Sequence, residues 1–147
     1  STFTPKKYEV ISQETAYRML SLLRSVVDQG SGKRLRYVYR LEGPIGGKTG
    51  TTQNNADGWF MSVHPNIVIG TWVGAEDPAV HFSAMTYGQG AAMALPIQGL
   101  FLQKAYADPT SGIRPDAQWT VPESLRGVSF DCDEHNATDI TEPDEFF

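Results

Sequence analysis

The sequence predicts an α+β fold in which two helices cover one face of an antiparallel sheet. Three observations support it: a helical pattern of apolar residues at 12–29, two strand-like apolar runs at 59–63 and 67–73, and a second helical pattern starting near residue 94. Because no helix separates the two strand-like runs, their connection is too short for a parallel crossover and favours antiparallel pairing.

The first helix is predicted over residues 12–29. Ser12 is a favourable N-cap, because its side-chain oxygen can accept a hydrogen bond from a free backbone N–H of the first turn. Apolar residues recur at helical spacing along the stretch, and Gly30 and Gly32 end it.

Extended segments are predicted next. The run L-R-Y-V-Y-R-L at 35–41 alternates loosely and suits a short strand or extended arm, and the threonines of K-T-G-T-T at 48–52 favour an extended backbone. W-F-M-S-V at 59–63 and I-V-I-G-T-W-V at 67–73 flank the turn residues H-P-N, so they are predicted to form an antiparallel hairpin.

A Gly-rich loop is predicted over residues 76–92, and the second helix begins between Ala94 and Pro96. Within the loop, the segment Y-G-Q-G at 87–90 either borders a substrate cleft or forms a flexible connector. We expect a structured unit at 1–112 and an irregular, acidic tail at 113–147. The predicted apolar face of the helix consists of Ile97, Leu100, Phe101 and Ala105.

Composition excludes several classes of function. The net charge of −5 is concentrated at residues 131–147, which hold seven acidic residues and no lysine or arginine. The rest of the 147-residue chain is nearly neutral and has no basic stripe interleaved with aromatics, which argues against nucleic-acid binding. No apolar run reaches the ~18 residues of a membrane helix, and the single Cys132 cannot form an internal disulfide.

The stretch G-P-I-G-G-K-T-G-T-T at 43–52 has two interpretations. A phosphate-binding loop needs G-x-x-x-x-G-K-[ST], but Glu42 occupies the position of its first glycine. Such a loop must also open into a helix, whereas the following T-G-T-T-Q-N-N-A-D-G is a poor helix former. Nucleotide binding is therefore not predicted.

As a strand, the same stretch suits recognition of an extended peptide that ends in a carboxylate. A strand at the edge of a cleft can pair with a peptide through its backbone, and Gly50 leaves room for that backbone to approach. Lys48 supplies a positive charge. Thr49 and Thr51 are two residues apart and therefore present their hydroxyls on one face.

The context of K-T-G is more specific than the tripeptide itself, which is one motif of class A β-lactamases and penicillin-binding proteins. Four segments resemble, in the same order, the transpeptidase domain of bifunctional class A penicillin-binding proteins. They are V-I-S-Q-E-T-A-Y-R-M-L-S-L-L, G-G-K-T-G-T-T-Q-N-N-A-D-G-W-F, V-x-P-N-I-V-I-G-T-W-V-G and G-Q-G-A-A-M-A-L-P-I. The resemblance covers residues 8–108 and implies a partial penicillin-binding or serine β-lactamase-like fold. Residues 1–112 would be the C-terminal portion of that domain.

The resemblance implies roles by position. Lys48 would tune the proton network and charge of the active site, and Thr49 would hold the terminal carboxylate of a D-Ala-D-Ala stem peptide or of a β-lactam. The backbone N–H of Thr51 would contribute to the oxyanion hole, which stabilises the tetrahedral intermediate. Gly50 would admit the substrate backbone, and Thr52 would make a further substrate contact.

The nucleophile of that family is absent from the sequence. The family's serine lies in S-x-x-K beside an S-x-N motif, and neither motif occurs here. The initial S-T-F-T has Thr4 in place of the lysine, and Ser21 and Ser31 are followed three residues later by arginine, which stays protonated. We expect either a C-terminal fragment of a larger transpeptidase, inactive alone, or a standalone non-catalytic peptide-binding module. The abrupt start without Met favours the fragment.

The resemblance also implies a parent protein anchored in the bacterial inner membrane, with this domain on the periplasmic side and a glycosyltransferase domain upstream. Its partners would be peptidoglycan stem peptides, β-lactams and the rest of the transpeptidase domain. Without that domain the chain would expose core surface and self-associate. No cofactor is expected, and no metal site, because His64, His81 and His135 lack ligand-like spacing.

Overall fold

The computed structural model describes residues 8–77 and 79–130 and has an α+β architecture, as predicted. Two helices precede the sheet, three strands form it, and three helices follow. Short 3₁₀ turns lie at Gln53–Asn55 and Glu123–Leu125. In chain order the main elements are α1 Gln13–Asp28, α2 Arg34–Tyr37, β1 Gly46–Thr51, β2 Asp57–His64, β3 Ile67–Gly74, α3 Met85–Gly88, α4 Gly90–Met93 and α5 Leu95–Ala107.

Helix α1 has the predicted bounds and the predicted N-cap. The Ser12 hydroxyl oxygen accepts a hydrogen bond from the backbone N–H of Thr15 at 3.2 Å. At the other end the Gly32 N–H donates to the carbonyl oxygen of Val26 at 2.9 Å, so the chain turns back against the last turn of the helix. A Cβ on Gly32 would lie 3.1 Å from the same oxygen, so glycine eases this close approach.

The sheet is antiparallel with the order β1-β2-β3, and the β2–β3 hairpin is confirmed. Thr49 of β1 stands opposite Phe60 of β2, which stands opposite Thr71 of β3. Because side chains alternate along a strand, Thr49 and Phe60 share one face of the sheet, and Lys48 lies on the other.

Helices α1 and α5 meet on one face of the sheet, as predicted, where Val27 of α1 and Leu95 of α5 join one buried cluster with Phe60. At the start of β1, α1 also contacts the other face. A Cβ on Gly46, on the Lys48 face, would lie 3.0 Å from Leu23 of α1. On the Thr49 face Gly58 lies against Gly90 of α4, with the Gly90 N–H 3.3 Å from the position of a Gly58 Cβ.

The core forms where α5 meets the Thr49 face of the sheet, and the predicted apolar face of α5 is largely wrong. Ala105 is buried as expected, but Ile97, Leu100 and Phe101 are 51%, 53% and 44% exposed. The helix instead buries Leu95, Gln98, Gly99 and Leu102 together with Ala105. Because α5 is apolar nearly all round, its periodicity does not single out one buried side.

Two further predictions are corrected, the extended segment at 35–41 and the loop at 76–92. The run at 35–41 is not a strand, since residues 34–37 form one helical turn that begins with the Leu35 N–H donating to the Gly32 carbonyl oxygen at 3.0 Å. Leu35 is completely buried, and its packing in the core outweighs the loose alternation of apolar and polar residues along 35–41. The Gly-rich segment at 76–92 contains the single-turn helices α3 and α4, and the small residues of α4 allow close contact with the sheet at Gly58.

The chain after α5 returns to the body of the molecule. The Arg114 N–H donates to the side-chain oxygen of Asn66 at 3.2 Å, and the Ser124 hydroxyl donates to the Glu14 carboxylate at 3.0 Å.

The boundary at residue 112 stays a prediction. The acidic residues 131–147, with Cys132 and His135, lie outside the described residues. None of the described helices is long and apolar enough to cross a membrane.

Candidate functional site

The K-T-G motif lies on β1, which is an outer strand of the sheet. Among the described residues, β1 pairs only with β2. Its predicted cation, Lys48, is exposed, and its Nζ donates to the backbone carbonyl oxygen of Thr49 at 2.8 Å. Within the described part of the chain no carboxylate forms an ion pair with Lys48. The charge of this lysine is therefore available to an anionic ligand.

Thr49 is partly buried, and its hydroxyl has a partner that the sequence did not indicate. The Oγ1 atom lies 3.0 Å from the hydroxyl oxygen of Ser31, in the loop between α1 and α2. Either hydroxyl can be the donor. The contact brings together two polar side chains that are 18 residues apart in the sequence.

Thr51 lies on the same face as Thr49, as predicted from their spacing. Its hydroxyl oxygen accepts a hydrogen bond from the Gly90 N–H at 3.1 Å. The segment 87–90 therefore contacts the end of β1, while its position at the border of a substrate cleft stays a prediction. Only glycine fits at position 90, because a Cβ there would clash with the carbonyl oxygens of Gly50 and Trp59.

Gly50 and Thr52 have local structural partners. A Cβ on Gly50 would lie 3.2 Å from the Cβ of Trp59, its partner across the strands, so the missing side chain accommodates that tryptophan. The Thr52 hydroxyl accepts from the Asp57 N–H at 2.9 Å and donates to the Asp57 carboxylate at 3.2 Å. That carboxylate also accepts from the indole N–H of Trp72 at 3.1 Å. These bonds hold the connection between β1 and β2.

Sequence reasoning missed two polar residues beside the strand, Ser31 and Arg34. Arg34 donates through Nη1 to the Ala91 carbonyl oxygen at 2.9 Å and so connects α2 to α4. The glycines at 30 and 32 predict a helix stop, and nothing in the local sequence indicates that the serine between them contacts β1.

The arrangement suits recognition of an extended, anionic chain. β1 offers the backbone of an outer strand, Thr49 and Thr51 place hydroxyls on one face, and Lys48 adds a cation from the neighbouring position. Backbone pairing gives affinity to an added peptide, and hydroxyls with an ammonium group stabilise a carboxylate.

Comparison with known proteins gives a consistent set of relatives, although no protein-family model matches the chain. The chain is 32% identical over 129 residues to "Penicillin-binding protein 1A" of Rickettsia conorii, covering 86% of this chain and 15% of that protein. It is 38% identical over 101 residues to the protein of the same name from Pseudomonas aeruginosa, covering 66% of this chain and 11% of that protein.

A solved structure of a protein with the same name has a similar fold. The crystal structure of penicillin-binding protein 1A from Haemophilus influenzae matches with a TM-score of 0.63 and 27% identity, covering 78% of this chain and 17% of that one. The chain therefore spans about a sixth or less of the length of these relatives.

Proposed function

Since the chain belongs to the penicillin-binding protein 1A family, we propose that it forms the substrate-binding wall of a peptidoglycan D,D-transpeptidase domain. The observation that carries the proposal is the geometry of β1. An outer strand bears K-T-G with two threonine hydroxyls on one face, and with a lysine at the adjacent position that forms no ion pair among the described residues. The wider sequence context matches relatives with this name over most of the chain.

In the proposed reaction a serine elsewhere in the domain attacks the penultimate carbonyl of a D-Ala-D-Ala stem peptide. The terminal D-Ala leaves as its amine takes up a proton, and an acyl-enzyme ester remains. An amine of a neighbouring stem peptide then attacks the ester, which forms the cross-link and frees the serine hydroxyl. β-Lactams would acylate the same serine by opening their ring.

The residues of β1 receive the following roles. The Thr49 hydroxyl donates to the substrate carboxylate, and the Lys48 ammonium group stabilises that negative charge and the proton network around the serine. The backbone N–H of Thr51 stabilises the tetrahedral oxyanion, a type of contact worth about 3–4 kcal/mol of barrier. Gly50 and Thr52 shape the strand where the substrate backbone lies, with Thr52 acting through the connection that it holds to Asp57.

The nucleophile of the proposed reaction lies outside this chain. S-x-x-K and S-x-N are absent from the sequence, and the chain spans only 15% of the Rickettsia relative. We therefore propose that residues 1–112 are the C-terminal portion of the domain and that 113–147 form an acidic extension. The parent would carry a glycosyltransferase domain upstream, and a membrane anchor would hold this domain on the periplasmic side.

The test uses the full-length protein that contains this chain. Incubated with a stem peptide ending in D-Ala-D-Ala and an amine acceptor, it should release one D-Ala for each cross-link, and penicillin should stop both. Cross-linking that continues in saturating penicillin, or an absence of D-Ala release, would contradict the proposal. Saturable binding of the peptide without any turnover would instead identify a non-catalytic peptide-binding module.

A further inference from the structure

We propose that Ser31 is a positioning residue for substrate carboxylate recognition, acting through the hydroxyl of Thr49. The inference rests on the proposed function and extends it to a residue outside K-T-G. Its basis is the contact between the two hydroxyl oxygens at 3.0 Å, made across 18 residues of sequence. Ser31 itself does not touch the substrate.

The chemistry of a hydroxyl explains why the second hydroxyl matters. A threonine hydroxyl has one proton to donate and two lone pairs with which to accept. If Thr49 donates to Ser31, its proton is used, and its lone pairs face and repel a carboxylate. If Ser31 donates to Thr49, the Thr49 proton is free to point to the carboxylate. A bound carboxylate therefore selects the second arrangement, in which the two hydrogen bonds strengthen each other.

The backbone around Ser31 is fixed well enough for such a role. The Gly30 N–H donates to the Ser25 carbonyl oxygen at 3.1 Å, and the Gly32 N–H donates to that of Val26 at 2.9 Å. On the far side the Leu35 N–H donates to the Gly32 carbonyl oxygen at 3.0 Å. Ser31 thus sits in a turn whose residues are bonded to α1 before it and to α2 after it.

The pair is also accessible to a ligand. Ser31 is exposed and Thr49 is partly buried, so Thr49 can meet solvent or substrate while Ser31 supports it. Ser31 and Thr49 together supply a donor and its supporting donor on one face of β1. Lys48, the adjacent residue, points to the other face and contributes a positive charge at the same outer strand.

The experiment measures acylation of the full-length protein by a penicillin and by its methyl ester, which lacks the carboxylate charge. Ser31→Ala should lower the acylation rate constant with the penicillin about three- to tenfold, the scale of one lost hydrogen bond. The same variant should leave the rate constant with the ester unchanged. Ser31→Thr keeps the hydroxyl and should restore the wild-type rate with the penicillin.

Two comparisons separate this role from a structural one. Ser25→Ala removes a serine hydroxyl that bonds to the Leu22 carbonyl oxygen at 2.7 Å near the same helix end, and it should not change either rate. The double variant of Ser31→Ala with Thr49→Val should be no slower than Thr49→Val alone.

The results that would overturn the role of Ser31 differ from the result that would also overturn the proposed function. Equal losses with the penicillin and the ester, a multiplicative loss in the double variant, or no loss in Ser31→Ala would overturn the role of Ser31 while leaving the proposed function intact. A wild-type protein that penicillin does not acylate would overturn both.

Discussion

Lys48 is the cation of the K-T-G segment, and its exposed side chain donates to a backbone oxygen and forms no ion pair within residues 8–77 and 79–130. Replacing it with alanine in the full-length protein removes a charged hydrogen-bond donor from the proposed carboxylate site. Acylation by penicillin should slow about 10- to 100-fold, the scale of a charge-assisted hydrogen bond. Lys104→Ala, on the exposed side of α5, is the matched control and should keep the wild-type rate. Equal rates in the two variants would remove Lys48 from the mechanism.

His64 is a second residue whose environment makes a measurable prediction. Its imidazole is only 4% exposed, its Nδ1 accepts from the Asn66 N–H at 3.2 Å, and its Nε2 has no partner among the described residues. Burial lowers the pKa of His64 below its ordinary value, outweighing the opposing effect of a backbone hydrogen bond with Arg114. The folded state therefore holds this ring neutral.

Because the unfolded chain binds the proton more readily, the stability contributed by neutral His64 is fully present above about pH 6.5. It is lost as the pH falls through the lowered pKa of the folded state. The free energy of unfolding should thus fall more steeply between pH 7.5 and pH 5 in the wild type than in His64→Phe, as urea titrations would measure. His81→Gln, at an exposed histidine, should keep the wild-type slope. Parallel curves for His64→Phe and wild type would contradict this account.

At the scale of elements, α5 is held to the sheet by one buried polar side chain. Gln98 accepts from the Ser62 hydroxyl at 2.6 Å and donates to the carbonyl oxygens of Phe60 at 2.7 Å and Ile69 at 3.2 Å. Gln98→Leu would remove these three bonds, two of which are buried, and a buried polar group left without a partner costs about 1–3 kcal/mol. We expect a loss of at least ~2 kcal/mol in the free energy of unfolding.

Gln103 of the same helix is the matched control. It makes one exposed hydrogen bond, to the Tyr39 carbonyl oxygen at 2.7 Å. Gln103→Leu should cost less than about 1 kcal/mol, because water can replace that bond. Similar losses in chemical denaturation for the two variants would mean that Gln98 does not anchor the helix.

The same helix shows what the sequence can and cannot predict. Its start near Pro96 was predictable, since proline suits a first helical turn. Its buried side was not, because Gln98 is buried by hydrogen bonds across the sheet while Ile97 and Leu100 face outward. A polar residue that bonds to three distant groups has no signature in local periodicity.

In the candidate site, too, the sequence predicts some features and not others. Local spacing and the K-T-G context were enough to place Thr49 and Thr51 on one face of a strand. The partners Ser31 and Gly90 were beyond prediction, because each contact depends on how distant loops return to β1. The roles of these residues remain predictions that the acylation experiments test.

The whole molecule leaves two apolar surfaces uncovered within its described residues. One is the Lys48 face of the sheet, where Trp59, Met61 and Trp72 are 43%, 43% and 45% exposed. The other is the outer side of α5 around Ile97. We propose that the remainder of the transpeptidase domain covers these surfaces in the parent. We therefore expect the isolated chain to be prone to association.

The isolated chain should therefore self-associate as its concentration rises, as sedimentation velocity would measure. Met61→Glu and Ile97→Glu each place a charge on one of the two surfaces and should shift the distribution towards monomer. Val80→Glu, at an exposed apolar residue in the loop after β3, is the control and should leave the distribution unchanged. A wild-type chain that stays monomeric at high concentration would contradict the uncovered-surface account.

We propose that this chain supplies the substrate-binding wall and that the acylated serine lies elsewhere in the parent. The most direct measurement is intact mass after incubation with excess penicillin, made on the isolated chain and on the full-length protein. We expect no mass gain on the isolated chain and the gain of one penicillin on the full-length protein, mapped by peptide sequencing to a serine outside these residues. A stoichiometric penicillin adduct on the isolated chain would contradict the claim.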